Sequence, residues 1–359
     1  MSARPQGREV FFVGSIALSD ASTVFKTIGQ TFADAVRRIP DGETGNRLGW
    51  MEWQAPILAA NPMLQSVPSQ GDWRNPTAPD QWKQQTWFRL RENADARALH
   101  LGDIGYARNA IASYREFAAL KSKGVIGAGI RFMVAIPSPF NLINFHFAPD
   151  QRAALEPAYE SALLAEVERI AAAVPHDELS IQWDCAHDMQ AYDGARPAWF
   201  SDTQPGIESR LIRIGQQVPA GVELGYHFCY GSFGGKHFVE PKDMGAMVRL
   251  ANAISRGMNR PVGWYHMPVP VERSDDAYFA PLDELRLQPD CRLYLGLIHD
   301  ADGLPGTLAR MAAAQRHIAD FGIATECGFG RRDPSRVQAL LALHAALVAG
   351  AEARAGGKT

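Results

Sequence analysis

Eight short β-rich runs, most of them followed by a segment with helical apolar spacing, limit the folds open to this chain. The runs occupy residues 9–15, 35–43, 130–139, 179–184, 222–229, 261–269, 292–300 and 322–328. Strands that alternate with helices indicate parallel pairing, because a parallel pair needs a long crossover that a helix supplies. Eight such units in 359 residues predict an α/β fold of the (β/α)8 TIM-barrel class, with residues 1–359 forming one domain.

A doubly wound sheet is the alternative arrangement of the same elements. It is disfavoured because no G-x-G-x-x-G pattern follows the first run. The predicted helices lie within 149–174, 241–257, 306–322 and 333–350. Residues 44–128, after the second predicted strand, are too long for an ordinary connection. We expect them to form an insertion-like excursion over the mouth of the barrel, at the carboxyl ends of the strands.

Charge and composition narrow the class of partner. A net charge of −3 and the lack of a basic stripe along any predicted helix argue against nucleic-acid binding. The longest apolar helical stretch, ALLALHAALVAGA, is too short and too interrupted to span a membrane. The four cysteines are widely separated, unlike those of a disulfide scaffold, which predicts a cytoplasmic protein with reduced thiols. The sequence leaves the oligomeric state open, a homo-oligomer included.

Polar residues collect where the predicted strands end. They are Ser15, Asp41, Glu43, Ser138, Asn141, Asp184, His227, Cys229, His266, His299, Asp300, Glu326 and Cys327. Barrel enzymes build their active sites at this end of the sheet, from loops that follow the strands. The bias therefore predicts a site for small-molecule substrates at the carboxyl ends.

The stretch GYHFCYGSFGG places His227 and Cys229 on the same side of one strand, because side chains alternate with a period of two. Imidazole and thiolate are ligands that zinc prefers, and Cys327 and His266 end other strands. Two alternatives remain at this point. Cys229 is a buried core thiol, or it is a nucleophile activated by the histidine.

Six short motifs occur in the order found in a known family. They are VGS (13–15), DGETGNR (41–47), IPSPFNLINF (136–145), IQWD (181–184), HFCYG (227–231) and ECGFGRR (326–332). In this order they resemble the C-terminal catalytic barrel of cobalamin-independent methionine synthase. That superfamily also contains uroporphyrinogen decarboxylase and epoxyalkane:coenzyme M transferase. The chain is similar to a short, single-barrel relative.

The resemblance implies a zinc ion held by His227, Cys229 and Cys327. The family's glutamate ligand does not carry over, because the sixth run reads GWYHMPVPVERSDD. We favour His266 as the fourth ligand over Glu272, which follows two prolines; a site with no fourth protein ligand is the remaining alternative.

The resemblance also implies how a thiol substrate is held. Ser15, Glu43 and Asp184 match positions that bind the amino-acid part of the substrate, and Asn141 lies in a matching substrate-contact segment. A structural ion pair with Arg47 or Arg331 is the alternative for the two carboxylates. Glu43 and Asp184 are also candidate catalytic residues. His299 is a candidate acid or base, although it is offset from the family's histidine.

The function implied is a zinc-dependent transferase that moves a methyl or other alkyl group to a zinc-activated thiol. A folate is the candidate methyl donor, with its pterin against aromatic residues near Trp50, Trp53 or Trp87. The alternative is another reaction on the same barrel, such as a lyase, a decarboxylase-like or an epoxide-opening activity. The segment DCAHD (184–188) departs from the family pattern and favours a changed substrate. A non-catalytic metal-binding protein explains the polar strand ends least well.

Overall fold

The computed structural model of the protein describes residues 9–69, 86–233 and 235–356. The strands are β1 (Arg38–Pro40), β2 (Leu64–Pro68), β3 (Thr86–Leu90), β4 (Arg131–Pro137), β5 (Leu179–Cys185), β6 (Glu223–Phe228), β7 (Ser232–Phe233), β8 (Lys236–His237), β9 (Trp264–Pro268), β10 (Arg292–Ile298) and β11 (Gly322–Thr325). The α-helices are α1 (Ala21–Thr31), α2 (Ala55–Ala59), α3 (Tyr106–Ser122), α4 (Pro139–His146), α5 (Arg152–Ala173), α6 (Ala186–Tyr192), α7 (Thr203–Gln216), α8 (Gly245–Gly257), α9 (Asp276–Phe279), α10 (Gly303–Ala314) and α11 (Val337–Gly356).

Seven of the eight predicted runs form one parallel sheet in the order β1-β4-β5-β6-β9-β10-β11. Helices α5, α8, α10 and α11 overlap the four predicted helices. No helix within the described ranges has both the length and the apolar composition needed to cross a membrane. The prediction of a parallel α/β fold is therefore confirmed.

The first predicted run, 9–15, does not form a strand of this sheet. Val10 makes an isolated parallel bridge with Ile323 of β11. On the other side, the Val10 N–H donates to the Ala35 carbonyl, shortly before β1. The run thus lies between the two edge strands, but it is held by single bridges instead of a continuous ladder. The sheet has seven strands, and the predicted closed barrel of eight is not formed.

An ion pair inside the sheet shows that the sheet is curled. Arg38 of β1 donates to both carboxylate oxygens of Glu223 on β6, at 2.6 and 3.0 Å, and to the Tyr294 hydroxyl on β10, at 3.0 Å. Neither β6 nor β10 is a neighbour of β1 in the sheet. The sheet must therefore wrap around so that these side chains meet near its amino end.

Apolar side chains fill the interior next to this ion pair. They are Phe11, Val13, Met133, Trp264, Tyr294 and Ala324. Gly225 of β6 makes room for the largest of them, because a Cβ at this position would lie 2.0 Å from the Trp264 ring. The amino half of the curled sheet is therefore solid, and a ligand site inside the sheet has to lie at the carboxyl end.

The chain after β1 includes the predicted excursion 44–128, of which residues 70–85 lie outside the described ranges. Its described part holds the antiparallel pair β2-β3 and ends with α3, the helix that leads to β4. Trp50 donates from its indole nitrogen to Asp184 at the end of β5, at 3.3 Å. The start of the excursion therefore reaches the carboxyl ends of the strands. That the whole segment is an insertion within one domain stays a prediction.

Two buried histidines predict that acid destabilises the fold. Burial lowers the pKa of His146 and of His344 to about 4. In the described structure no acceptor lies at His344 Nε2, so a charged ring would bury an unpaired N–H. Because the unfolded histidines bind protons from about pH 6.5 downward and the folded ones do not, stability falls between about pH 6.5 and 4. At pH 5 the loss is about 2 kcal/mol for each ring.

The measurement is the urea unfolding free energy at pH 7 and at pH 5. His344→Leu should remove about half of the loss assigned to the two rings, because the leucine cannot take up a proton. His100→Gln is the control, since His100 is exposed. An unchanged pH dependence in His344→Leu would contradict the prediction.

Candidate metal centre

Three side chains with metal-binding atoms meet at the carboxyl end of the sheet. His227 lies on β6, Cys229 follows that strand and Cys327 follows β11. One ligand atom of each residue lies within 4.8 Å of the others, and all three residues are buried. The Cys229 and Cys327 sulfur atoms are 3.7 Å apart, and Cys327 Sγ is 3.6 Å from His227 Nε2.

These spacings match those around one tetrahedral zinc ion. Zinc binds thiolate sulfur at about 2.3 Å and imidazole nitrogen at about 2.0–2.1 Å. At tetrahedral angles, two such sulfur atoms lie about 3.8 Å apart, and a sulfur and a nitrogen lie about 3.6 Å apart. The observed 3.7 and 3.6 Å therefore fit a shared ion with little movement of the side chains.

His266 fixes which nitrogen of His227 faces the two sulfur atoms. His266 Nε2 is 3.0 Å from the Thr325 carbonyl oxygen, which only accepts, so this nitrogen carries a proton. Burial lowers the pKa of His266 to about 3, so its ring is neutral and Nδ1 has a lone pair. This lone pair accepts from His227 Nδ1–H at 2.7 Å. Because burial also lowers the pKa of His227, that ring is neutral and its Nε2 lone pair is directed at the group.

Neither alternative for a fourth ligand belongs to this group within the described ranges. His227 and His266 are register partners on adjacent strands, so their rings contact each other before they could converge on one ion. Glu272 lies in a turn after β9, beyond Pro268 and Pro270. The structure thus brings together three of the four predicted ligands. It places the His266 ring against His227 and outside the three-residue group, and a ligand role for His266 stays a prediction.

The thiols of the two cysteines differ in pKa. The hydrogen bond from Cys229 to Cys327 lowers the pKa of Cys327, and the same bond, together with burial, raises the pKa of Cys229. The Gly231 N–H donates to Cys229 Sγ at 3.2 Å, which favours a thiolate there. Gly231 has a φ of +74°, a conformation that favours glycine. The turn after β6 therefore supplies a backbone donor to the sulfur.

Two carboxylates line the same cavity as this group. Burial raises the pKa of Glu43 well above its usual value, and the neighbouring Asp184 charge raises it further. Burial also raises the pKa of Asp184, but Gln182 donates to it at 2.8 Å and Trp50 at 3.3 Å, and both bonds favour its charged form. Asp184 is therefore the carboxylate that ionises first, while Glu43 keeps its proton.

Glu43 is held in a conformation that costs backbone energy. Its φ is +48°, in the left-handed region that non-glycine residues seldom adopt. Its N–H donates to Asp41, and Arg47 also pairs with Asp41, at 2.7 Å, so the Arg47 ion pair considered for Glu43 is made with Asp41. A Cβ at Gly14 would lie 2.8 Å from Glu43 Oε1, so the glycine gives the carboxylate its space.

Two further predicted site residues lie away from this cavity. His299 is buried, with Nε2 2.8 Å from the Val269 carbonyl oxygen and Nδ1 3.7 Å from Glu326. Asn141 is fully buried and donates to Ser138, to the Asp184 carbonyl and to Asp188. The structure therefore gives both residues bonds that hold the strand ends in place. The substrate and acid–base roles predicted for them stay predictions.

A small cavity lies beside the metal group. Its lining residues are Val13, Gly14, Ser15, Glu43, Trp50, Asp184, Ala186, His227, Cys229, Gly231, Cys327, Gly328 and Arg331. A second small cavity shares Glu43 and Trp50 with it and is also lined by Trp53 and Tyr106. Trp87 lines a different cavity, with Arg152. Two of the three tryptophans named from the sequence thus lie at the site.

Sequence reasoning missed one residue that acts at this site. Gln182 donates to Asp184 Oδ1 and to the Val13 carbonyl, and it accepts from Trp264. Its position two residues before Asp184 on β5 puts both side chains on the same face of the sheet. The alternation of side chains along β5 is the sequence signal from which a role for Gln182 could have been predicted.

The fold and the site together define a parallel α/β protein with soft-metal ligands and paired carboxylates at the carboxyl ends of its strands. Solved structures share this fold. A structure from Listeria monocytogenes, provisionally assigned as a vitamin B12-independent methionine synthase, has a TM-score of 0.55 and 14% identity to this chain. The match covers 96% of this chain and 98% of that one. A B12-independent methionine synthase from Shewanella sp. W3-18-1, in complex with selenomethionine, has a TM-score of 0.59 and 12% identity, over 99% of each chain. No family model and no curated protein matches the sequence. At these identities the likeness shows the fold.

Proposed function

We propose that the protein is a zinc-dependent transferase that moves a methyl or other alkyl group to a thiol. The observation that carries this proposal is the His227, Cys229 and Cys327 group, whose spacings suit one tetrahedral ion and which lines a cavity together with Glu43 and Asp184. A bound zinc would act as a Lewis acid that keeps a substrate thiol deprotonated near neutral pH. Three protein ligands leave a fourth position for that thiol, as catalytic zinc sites do.

The carboxylates support a substrate that carries an amine. Asp184, which Gln182 and Trp50 hold in place, provides a buried acceptor for an ammonium group. Glu43 lines the same cavity as Asp184 and makes no ion pair within the described ranges. The Shewanella protein was solved with selenomethionine, an amino acid whose selenium takes the place of a thioether sulfur. An amino-acid thiol is therefore the substrate class that this cavity suits.

The second cavity is the proposed place of the alkyl donor. Trp50 stands between the two cavities, and Trp53 and Tyr106 give the second one aromatic walls that suit a planar ring such as a pterin. The runner-up function is a different reaction of a thiol on the same scaffold, such as epoxide opening. It has in its favour that the three-residue group contains no carboxylate, so it departs from the ligand set that the family resemblance implies.

The experiment measures zinc content and methyl transfer on the same protein. We expect close to one zinc per chain by mass spectrometry, and methionine formed from homocysteine and methyltetrahydrofolate. Removal of the metal with a chelator should stop the reaction, and added zinc should restore it. Zinc-loaded protein that transfers an alkyl group from an epoxide but not from the folate would select the runner-up. Protein that binds no zinc would overturn both.

A further inference from the structure

Arg331, at the cavity beside the metal group, is held in position without a direct ion pair to a carboxylate. Arg331 Nε and Nη2 donate to the Ser232 carbonyl oxygen at 3.1 and 2.8 Å, and its Cζ lies 5.5 Å from the centroid of the Trp50 ring. In the part of the chain that the structure describes, it makes no ion pair and nothing accepts from its Nη1. The side chain is partly buried and lines the cavity.

Other arginines at this end of the sheet are paired. Arg47 binds Asp41 at 2.7 Å, and Arg332 binds Glu326 at 2.6 Å and Asp300 at 2.8 Å. Arg331 differs because a main-chain oxygen orients it, and such an oxygen does not neutralise its charge. Its charge acts on Glu43, Asp184 and Cys327 without a direct ion pair. A positioned guanidinium of this kind beside a cavity is suited to bind an anionic group.

The cavity therefore presents both signs of charge. Asp184 provides negative charge beside the protonated Glu43, Arg331 provides positive charge, and Trp50 contacts both Asp184 and Arg331. Cys229 and Cys327 line the same cavity as these residues. A guanidinium near a carboxyl pair that carries one negative charge is suited to a single anionic group, such as a carboxylate or sulfonate, because a dianion would be repelled more strongly by that charge.

We propose that Arg331 binds a monoanionic group, a carboxylate in the case of an amino-acid thiol, at a subsite next to the metal group. This inference rests on the proposed function, because it assigns a second anchor to the thiol substrate of that site. Each end of the substrate would then have its own contact. Glu43 and Asp184 would bind the amine, Arg331 would bind the anion, and the sulfur would point to the cysteines.

The test uses two thiols with the same number of methylene groups between sulfur and charge, 4-mercaptobutyrate and 3-mercaptopropylamine. Both are titrated by calorimetry into zinc-saturated full-length protein. Arg331→Met should weaken binding of 4-mercaptobutyrate about 10- to 100-fold, because a charge-assisted hydrogen bond is lost. It should change binding of 3-mercaptopropylamine by less than about threefold, and that retained binding shows that the variant is folded. Arg331→Lys, which keeps the charge, should lose less than Arg331→Met.

Asp184→Asn is the matched variant at the same cavity and should weaken binding of 3-mercaptopropylamine more than binding of 4-mercaptobutyrate. Equal effects of Arg331→Met on both thiols, or no effect on 4-mercaptobutyrate, would overturn the subsite while leaving the transferase proposal in place. If neither thiol binds the wild-type protein, the thiol site itself is wrong, and the subsite fails with it.

Discussion

Cys229→Ser and Cys327→Ser should each weaken zinc binding and lower the zinc bound per chain from close to one. Each substitution removes one thiolate from a group of three protein ligands. The binding free energy of a zinc site with four protein ligands, about 10–16 kcal/mol, is shared among those ligands. Loss of one thiolate should therefore weaken the affinity roughly a hundredfold to a thousandfold, and methyl transfer should fall with it.

Cys291→Ser is the matched control, since Cys291 is a partly exposed free cysteine at the amino end of β10. It should keep both zinc and activity. Full zinc content in Cys229→Ser, with a competition dye giving the wild-type affinity, would mean that the cysteines are core thiols. The transferase proposal would then lose its main support.

His266→Phe should weaken zinc binding about 10- to 100-fold, the cost usual for losing a hydrogen bond that orients a metal-bound histidine. The phenylalanine keeps a ring against Phe11 but cannot accept from His227 Nδ1–H. His227 is then free to rotate or to change tautomer. Zinc affinity is measured by competition with a chelating dye, so the readout does not depend on turnover.

X-ray absorption at the zinc edge separates the two roles considered for His266. A positioning role predicts one imidazole nitrogen on the ion in the wild-type protein, whereas a fourth-ligand role predicts two. Tyr265→Phe is the control on the same strand, because the neighbouring side chain points to the opposite face and bonds Ser255. Two imidazoles, or a loss in His266→Phe as large as that in Cys229→Ser, would contradict the positioning role.

The sequence predicted the sheet well because its signal is local. β-rich runs and the helices between them can be seen in the residue pattern, and seven runs pair in the expected order. Residues 9–15 have the same pattern but do not form a strand, since strand formation depends on hydrogen bonds to two edges distant in the chain. That pairing is a property of the whole fold, and no local pattern contains it.

The site was predictable to the level of strand ends. His227, Cys229 and Cys327 converge as expected, because parallel strands bring their carboxyl ends to one edge. His266 was expected among them because it ends a neighbouring strand. Register alone could not show that its ring would contact His227 first.

For the same reason, the directions of the two adjacent arginine side chains after Cys327 could not be predicted from the sequence. Sequence reasoning considered Arg331 only as a structural ion-pair partner of Glu43 or Asp184. In the structure Arg332 turns inward to Glu326, while Arg331 faces the cavity. The turn after β11 sets these directions, and charge or spacing in the sequence does not reveal them.

The solid amino half of the sheet has a kinetic consequence. Arg38, Glu223 and the apolar side chains around Trp264 close one end, so molecules enter and leave the interior from the other. The cavity at the cysteines and the cavity beside Trp53 share Glu43 and Trp50, so ligands in the two cavities would be neighbours. Under the proposed function, two reactants that share this one entrance should bind in a fixed order, which initial-rate kinetics would show.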